Sequence, residues 1–211
     1  MRNIFGRKKT DNTPFNEKRE KSALVDFLQS VTLAIIFSII IFSIVTPSEV
    51  EGSSMEPNFH NGERVYTNRL PQWFSDGDVG RALNLSYNRG DVIVFYKPGM
   101  GGSLIKRIIG IPGDKIELLN GQFYVNGKRL LEEYLASDLY TKSGTFLSEG
   151  EVVQVPENSY FVAGDNRAVS NDSRFIGFID KEWMQGKVIF RLWPLDKIGI
   201  IHAGEYKLEN P

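Results

Sequence analysis

The sequence contains no cysteine and only two histidines among its 211 residues. The absence of cysteine excludes thiol nucleophiles, thiolate metal ligands and disulfides. His60 and His202 lie outside any His-x-x-x-His or His-Glu-x-x-His spacing, so we expect no histidine-rich metal site. The formal net charge is −1, which leaves no basic footprint of the kind that nucleic acid requires. We therefore predict no metal, no cofactor and no nucleic-acid partner.

One long stretch of the chain, from Phe27 to Val45, lacks charge altogether. Its polar residues are Gln29, Ser30, Thr32, Ser38 and Ser43. A helix of this length, at about 1.5 Å per residue, nearly fills a hydrocarbon core of roughly 30 Å. A cleavable signal would have a shorter apolar centre and an Ala-x-Ala exit, and a soluble core helix would usually carry a polar stripe. We predict a transmembrane helix over residues 24–45, preceded by a cytoplasmic tail over residues 1–23.

The charges that flank this span predict its orientation. Lys and Arg accumulate before it, whereas Glu49, Glu51 and Glu56 follow it. By the positive-inside rule, the N-terminus lies in the cytoplasm and residues 46–211 lie on the extracytoplasmic side of the cell membrane.

The rest of the sequence is typical of a β domain. Short runs rich in Val, Ile, Phe and Tyr alternate with turn residues, and Asn120-Gly121 and Asn126-Gly127 favour tight hairpins. The predicted strands are 64–67, 91–96, 103–109, 115–118, 122–125, 160–163 and 187–192. Short helices are predicted at 128–135 and 181–185. We predict a mainly β fold, in which the transmembrane helix precedes one compact, mostly antiparallel, barrel-like domain and residues 128–157 form an elaboration.

A candidate nucleophile, Ser54, follows the span closely. Its segment, Val-Glu-Gly-Ser-Ser-Met-Glu-Pro over residues 50–57, is by itself more typical of a solvated turn. A serine nucleophile needs a base, and neither histidine has the context of a triad. Lys106 lies among large aliphatic residues of a predicted strand, where burial would lower the pKa of its amine. The pattern alone leaves open that Lys106 lies at a sheet edge or pairs with a carboxylate.

Four segments, taken together, resemble the sequence boxes of bacterial type I signal peptidases of the single-span, Gram-positive-like type. They are Gly-Ser-Ser-Met-Glu-Pro at 52–57, Gly-Asp-Val-Ile-Val-Phe at 90–95, Lys-Arg-Ile-Ile-Gly-Ile-Pro-Gly-Asp at 106–114, and the segment 164–177 that begins Gly-Asp-Asn-Arg. The resemblance runs from the span to residues 193–195. It implies a serine endopeptidase with a Ser/Lys dyad that removes signal peptides from exported preproteins after small residues, in an Ala-x-Ala-like pattern.

The resemblance also implies roles for individual residues. Ser54 matches the nucleophile, Lys106 matches the general base, and Ser170 matches the serine that orients the lysine. The supporting ion pairs of the family match Asp172 with Arg174 and Arg107 with Asp165.

The sequence departs from the family pattern beside the nucleophile. Asn58 stands where Thr is usual, Ala163 stands where Met is common, and Gly52 lacks the hydroxyl that some members use as an oxyanion donor. The predicted oxyanion region therefore consists of Gly52, Ser53 and Ser54, with the backbone N–H of Ser54 as its main donor. Ser53 is a rival nucleophile, but the Met-x-Pro spacing favours Ser54.

Two adjacent aromatic residues, Trp73 and Phe74, have two interpretations. They are either core anchors or residues that enter the membrane interface.

The expected partners are the signal peptides of preproteins, the lipid bilayer and, in its vicinity, the secretion translocon. A self-cleaving repressor with a Ser/Lys dyad would carry a DNA-binding module in place of the span. The alternative left open is a non-catalytic or dedicated-substrate relative that acts in the assembly of surface structures such as pili.

Overall fold

The structure is a computed structural model that describes residues 14–74, 80, 82–83 and 85–209, with side chains described from residue 23 onward. Most of the predicted cytoplasmic tail, residues 1–13, lies outside the described residues. The chain divides after Ser43 into two units, the second of which begins at Ile44.

The first unit contains helix α1, Pro14–Ile44, except for its last residue, which belongs to the second unit. Within it, Ala23–Ile44 is long and apolar enough to cross a membrane, and none of its most apolar window is buried by protein. The hydroxyls of Ser30, Thr32, Ser38 and Ser43 each donate to the carbonyl four residues earlier, at 2.8–2.9 Å. These polar groups are therefore satisfied within the helix, as a hydrocarbon environment requires.

The second unit is mainly β. Its strands in chain order are β1 Val45–Glu49, β2 Arg64–Asn68, β3 Val92–Phe95, β4 Leu104–Gly110, β5 Lys115–Leu119, β6 Gln122–Val125, β7 Lys128–Glu132, β8 Val152–Gln154, β9 Ser159–Ala163, β10 Ile179–Asp180, β11 Met184–Trp193, β12 Gly199–Ile200 and β13 Tyr206–Glu209. The short helices are α2 Leu70–Phe74 and α3 Ser173–Ile176, with 3₁₀ turns at Lys181–Trp183 and Leu195–Lys197.

These strands form two antiparallel sheets within the described residues. The larger sheet has the order β1-β2-β11-β3-β4-β9-β10, with β12 added to β11. The smaller sheet has the order β13-β7-β6-β5-β8. The prediction of a mainly β, mostly antiparallel domain after one apolar helix is confirmed.

The two Asn-Gly turns form as predicted. Asn120 and Gly121 have φ of 52° and 73°, and Asn126 and Gly127 have φ of 54° and 75°. Positive φ at both central residues matches the twist of the flanking strands, so each pair closes a tight hairpin, β5–β6 and β6–β7.

The predicted helix at 128–135 is wrong, because Lys128–Glu132 is strand β7. This strand pairs with β6 through the Asn-Gly turn and with the C-terminal strand β13. The predicted helix at 181–185 is a 3₁₀ turn over Lys181–Trp183, after which β11 begins. Residues 128–157 thus supply two strands of the smaller sheet, β7 and β8.

Two buried clusters position the region around Ser54. One joins side chains of both sheets and includes Ile109, Ile116, Phe123 and Phe161. The other lies under the Ser54 turn and consists of Val50, Met55, Phe59, Val65, Val92, Val94, Ile105 and Val188. Met55 and Phe59, both buried, fix the turn to the larger sheet.

Phe161→Ala should lower the free energy of unfolding by about 3–5 kcal/mol, because it leaves a cavity among packed rings. Phe161 is fully buried, and its ring centroid lies 5.9 Å from that of Phe123. Val152→Ala, on the exposed side of β8, should cost under about 0.5 kcal/mol. Chemical denaturation of the full chain in detergent measures both values, and equal losses would contradict this packing.

Candidate active site

Ser54 lies in a turn-rich loop that joins β1 to β2. The loop is closed by two backbone hydrogen bonds, from Val50 N–H to the Glu63 carbonyl and from Gly62 N–H to the Val50 carbonyl, both 2.8 Å. Gly52 has φ of +80°, a conformation that favours glycine. This closure and the buried side chain of Met55 present Ser54 at the surface of the larger sheet.

Lys106 lies on β4, which is flanked on both sides by other strands. Its partner in the register is Ile93, and only 2% of Lys106 is exposed. Its Nζ lies 2.6 Å from Oγ of Ser54 and 2.8 Å from the carbonyl oxygen of Ile105. The structure therefore brings the two residues of the predicted dyad into hydrogen-bond contact.

Burial lowers the pKa of the Lys106 amine to about 8, because the charged form loses its hydration. The carboxylates of Asp172 and Asp165 act in the opposite direction and raise this pKa. Desolvation is the larger effect, so the amine is neutral in an appreciable fraction of molecules near neutral pH.

The two predicted ion pairs are formed and buried. Arg107 donates from Nε and Nη2 to the two carboxylate oxygens of Asp165, at 2.8 and 2.7 Å. Arg174 donates in the same two-pronged way to Asp172, at 2.8 Å for both bonds. Asp172 also accepts from the Gly164 N–H at 2.9 Å, so this pair holds the backbone that faces Ser54.

Ser170, which is expected to orient Lys106, lies close to the Ser54 turn. It is buried, but its Oγ has no hydrogen-bond partner among the described residues, so it makes no bond to Lys106. A Cβ at Gly164 would lie 2.2 Å from this Oγ and 2.4 Å from the Ser54 carbonyl oxygen. Because Gly164 has no side chain, Ser170 and the Ser54 turn can both lie against the backbone that follows strand β9.

Asn166 and Arg167 also contact the site, and the sequence reasoning assigned them no role. Asn166 donates from its backbone N–H to the Ser54 carbonyl at 3.0 Å and from its side chain to the Ser53 carbonyl at 3.2 Å. Arg167 is buried, donates to the Gly164 carbonyl at 2.9 Å and pairs with Glu132 of β7. Asn166 and Arg167 belong to the quoted segment that begins Gly-Asp-Asn-Arg, whereas Glu132 carried no signal in the sequence.

In the predicted oxyanion region, one of the three backbone donors is already used. The N–H of Gly52 is used by the side chain of Asn61, at 2.8 Å. The N–H of Ser54 makes no hydrogen bond to any residue that the structure describes. The N–H of Ser53 likewise makes no hydrogen bond in the described structure, so the backbone donors available at the nucleophile are those of Ser53 and Ser54, and not that of Gly52.

A cleft of about 450 Å³ leads to Ser54 and Lys106. One wall is β1, which is the edge strand of the larger sheet, and the other is the stretch from Gly101 to Lys106. Val65, Val94 and Ile105 contribute apolar lining. An unpaired strand edge beside an open cleft can accept an extended peptide.

Trp73 and Phe74 lie on α2 and are 47% and 43% exposed. Their rings contact each other edge to face, with centroids 6.5 Å apart, and lie outside the buried clusters. In the described part of the chain, no group of His, Cys, Asp and Glu side chains could hold a metal ion.

The chain is similar in sequence to known proteins over most of its length. A family model described as signal peptidase, peptidase S26, matches residues 24–193. The chain is 35% identical to signal peptidase IB of Staphylococcus aureus over 189 residues, which cover 84% of this chain and 93% of that protein. It is also 35% identical to signal peptidase I of Bacillus amyloliquefaciens over 188 residues, 85% and 93% of the two chains. A crystal structure of a signal peptidase I from Enterococcus faecalis aligns with a TM-score of 0.41 and 30% identity, over 48% of this chain and 96% of that one.

Lys106→Met should stabilise the protein at pH 7, on the order of 3 kcal/mol, because each pKa unit corresponds to about 1.4 kcal/mol. The folded-state pKa of Lys106, about 8, lies below the ordinary value of 10.5. Between these values the unfolded chain binds a proton that the folded chain does not, so the stability of the wild type rises with pH there. The advantage of Lys106→Met should shrink accordingly.

Denaturation of both proteins between pH 7 and 10 measures this difference. The other titrating groups cancel in the comparison. A difference in stability that stays constant over this range would contradict a buried amine with a lowered pKa.

Proposed function

This chain belongs to the signal peptidase family S26 and is a serine peptidase, and we propose that it removes signal peptides from exported preproteins with Ser54 as nucleophile and Lys106 as general base. The observation that carries the proposal is the 2.6 Å contact between Lys106 Nζ, a buried amine, and Ser54 Oγ. His60 and His202 make no hydrogen bond to Ser54 in the described structure. His60 instead contacts Glu63 at 3.3 Å.

Acylation follows from this geometry. As Ser54 Oγ attacks the scissile carbonyl carbon, its proton passes to the neutral amine of Lys106. The backbone N–H of Ser54 donates to the oxyanion that forms. When the peptide C–N bond breaks, Lys106 returns the proton to the leaving amine of the mature protein. The signal peptide then remains as an ester on Ser54.

Deacylation uses the same base. Lys106, neutral again, takes a proton from a water that attacks the ester carbonyl, and then gives it to Ser54 Oγ as the C–O bond breaks. The requirement for a neutral amine means that activity declines below the pKa of Lys106. The ion pairs Arg107–Asp165 and Asp172–Arg174 are proposed to support the site without taking part in the chemistry. Ser170 makes no hydrogen bond to Lys106 here, but its buried hydroxyl has no partner among the described residues and stays our candidate to orient the lysine.

The cleft is proposed to hold the residues before the scissile bond in an extended conformation. The substrate backbone would pair with the free edge of β1, and the apolar lining near Ser54 would accept small side chains in an Ala-x-Ala-like pattern. Because Ser54 and Lys106 are both present and in contact, a non-catalytic role in the assembly of surface structures is not favoured. Action on a few dedicated substrates is compatible with the same site.

The apolar helix is proposed to anchor the enzyme with its N-terminus in the cytoplasm and the β domain outside. Ser54 follows Val45 by nine residues, so it lies within roughly 30 Å of the span along the chain. A preprotein held in the same bilayer, beside the translocon that delivers it, would meet the site at a high effective concentration.

Trp73 and Phe74 are proposed to contact the membrane interface. The N–H of Arg69 donates to the carbonyl of Ile44, at 2.9 Å, so α2 begins next to the residue where the second unit starts. Exposed aromatic rings at that end of the sheet suit the interfacial region of a bilayer.

Ser54→Ala and Lys106→Ala should each abolish cleavage of a model preprotein by the full chain in detergent. Ser53→Ala is the matched control and should retain most activity, since Ser53 makes no hydrogen bond to Lys106 in the described structure. Mass spectrometry of the products identifies the cut, which should follow a small residue. The assignment would be contradicted if Lys106→Ala still cleaved the preprotein, or if Ser53→Ala were inactive while Ser54→Ala remained active.

Replacing Trp73 and Phe74 together by Ser should weaken liposome binding of the domain 46–211 several-fold, because the apolar contact with the interface is lost. Flotation with vesicles measures the bound fraction. Val152→Ser, an exposed residue on the smaller sheet, is the control and should bind as the wild type does. Unchanged binding of the double variant would rule out the membrane contact.

A further inference from the structure

Tyr134 follows β7 in the segment 128–157, to which the sequence assigned no role. The residue is partly buried and makes three different contacts. Its ring lies under the Arg107 guanidinium, with 4.0 Å between the Cζ atom and the ring centroid. Its hydroxyl donates to Glu132, the partner of Arg167, and its carbonyl oxygen accepts from Asn58 Nδ2 at 3.0 Å.

The contact with Arg107 bears directly on the base. Arg107 is the neighbour of Lys106 on β4, and its in-plane N–H groups are used by Asp165 and by the Gly90 carbonyl, at 2.7–2.9 Å. The face of the guanidinium remains, and the ring of Tyr134 covers it. A cation over an aromatic face is attracted to the ring, more strongly where water is excluded.

The contact with Asn58 bears on the nucleophile. Asn58 belongs to the Ser54 turn, and its backbone N–H donates a hydrogen bond to the Met55 carbonyl at 3.1 Å. Its side-chain amide donates both to the Tyr134 carbonyl and to Asp165 Oδ2, at 3.0 and 2.9 Å. Asn58, which stands where Thr is usual, thus ties the Ser54 turn to Tyr134 and to the Arg107–Asp165 pair.

We propose that Tyr134 is a positioning residue that holds Arg107 against Asp165 and, through Asn58, keeps the Ser54 turn in register with Lys106. The proposal rests on the Ser54/Lys106 dyad proposed above. It gives the segment 128–157 a role in catalysis: β7 and the residues after it brace both arginines that flank the site, Arg107 through Tyr134 and Arg167 through Glu132.

Loss of the ring has two expected effects. Without the ring, Arg107 and its partner Asp165, which binds Asn58, are held less firmly, so the Ser54 turn shifts. A shift of a fraction of an ångström lengthens the Ser54–Lys106 contact and lowers kcat, about 10–100-fold if the shift approaches 1 Å. An Arg107 that is held less firmly also offsets less of the charge of Asp165. Asp165 and Asp172 both raise the pKa of Lys106, and Asp172 keeps its own partner Arg174. The acid limb of the pH profile therefore moves to higher pH.

The test compares Tyr134→Leu with Tyr134→Phe in the full-length enzyme, with a model preprotein as substrate. Tyr134→Leu should lower kcat by at least about tenfold, leave KM within about twofold, and shift the acid limb to higher pH. Tyr134→Phe keeps the ring over Arg107, and both variants keep the backbone carbonyl that binds Asn58. It should retain kcat within a few-fold and keep the wild-type pH profile.

Tyr206→Leu is the matched control. Tyr206 also packs against an arginine, Arg89, at 5.7 Å, and its hydroxyl donates to the Ile109 carbonyl at 2.9 Å. It is the cross-strand partner of Glu132, but in the described structure it makes no hydrogen bond or ring contact with Arg107, Asn58, Ser54 or Lys106. This variant should lose stability while it keeps the wild-type kcat and acid limb.

A kcat and an acid limb in Tyr134→Leu that match those of Tyr206→Leu would overturn the proposal, as would a loss confined to KM. If Tyr134→Leu does not fold, Asn58→Ala decides, because it removes the bridge and leaves the ring in place. A lower kcat at unchanged KM in Asn58→Ala supports the proposal, and an unchanged kcat overturns it. Failure of the wild type to cleave any preprotein would instead refute the proposed function.

Discussion

The site depends on the removal of one amine from water. Lys106 lies on an interior strand of the larger sheet, opposite the fully buried Ile93, and its Nζ contacts only Ser54 Oγ and the Ile105 carbonyl among the described residues. A buried ammonium ion without a carboxylate partner is costly, so folding raises the neutral fraction of the amine above that of the unfolded chain. The fold therefore destabilises the one protonation state in which Lys106 could not act as a base.

This constraint explains the arrangement of charge around the site. Asp165 and Asp172 are near enough to raise the pKa of Lys106, and each is engaged by an arginine through two hydrogen bonds. An unpaired carboxylate at either position would favour the ammonium form. The buried ion pairs thus hold the loops in place and also keep the amine available as a base. Tyr134 is proposed to matter for the same reason, because its ring covers Arg107 and holds it against Asp165.

Much of the fold could be predicted from local patterns, because strands rich in Val, Ile, Phe and Tyr and the Asn-Gly turns between them are signals carried by neighbouring residues. The predicted helix at 128–135 conflicts with the hairpin signal of Asn126-Gly127, which requires a strand after it, and that strand, β7, forms. Residues 128–132 by themselves suit a helix, and the second partner of β7, β13, lies more than seventy residues further along the chain. Lys106 was a candidate base from its apolar neighbours, but its burial depends on strands that no local pattern reveals. The unpartnered hydroxyl of Ser170 and the bridge made by Asn58 are contacts between distant segments, which become visible only in three dimensions.

The most direct test of the central claim is an NMR titration of the Lys106 amine. The full chain would carry ¹³Cε-labelled lysine in detergent, and the spectrum of Lys106→Arg would identify the Lys106 resonance by its absence. A midpoint near pH 8 is the predicted result. A midpoint near the ordinary lysine value of 10.5 would show that the site does not lower the pKa of the amine, and would contradict the proposed Ser54/Lys106 mechanism.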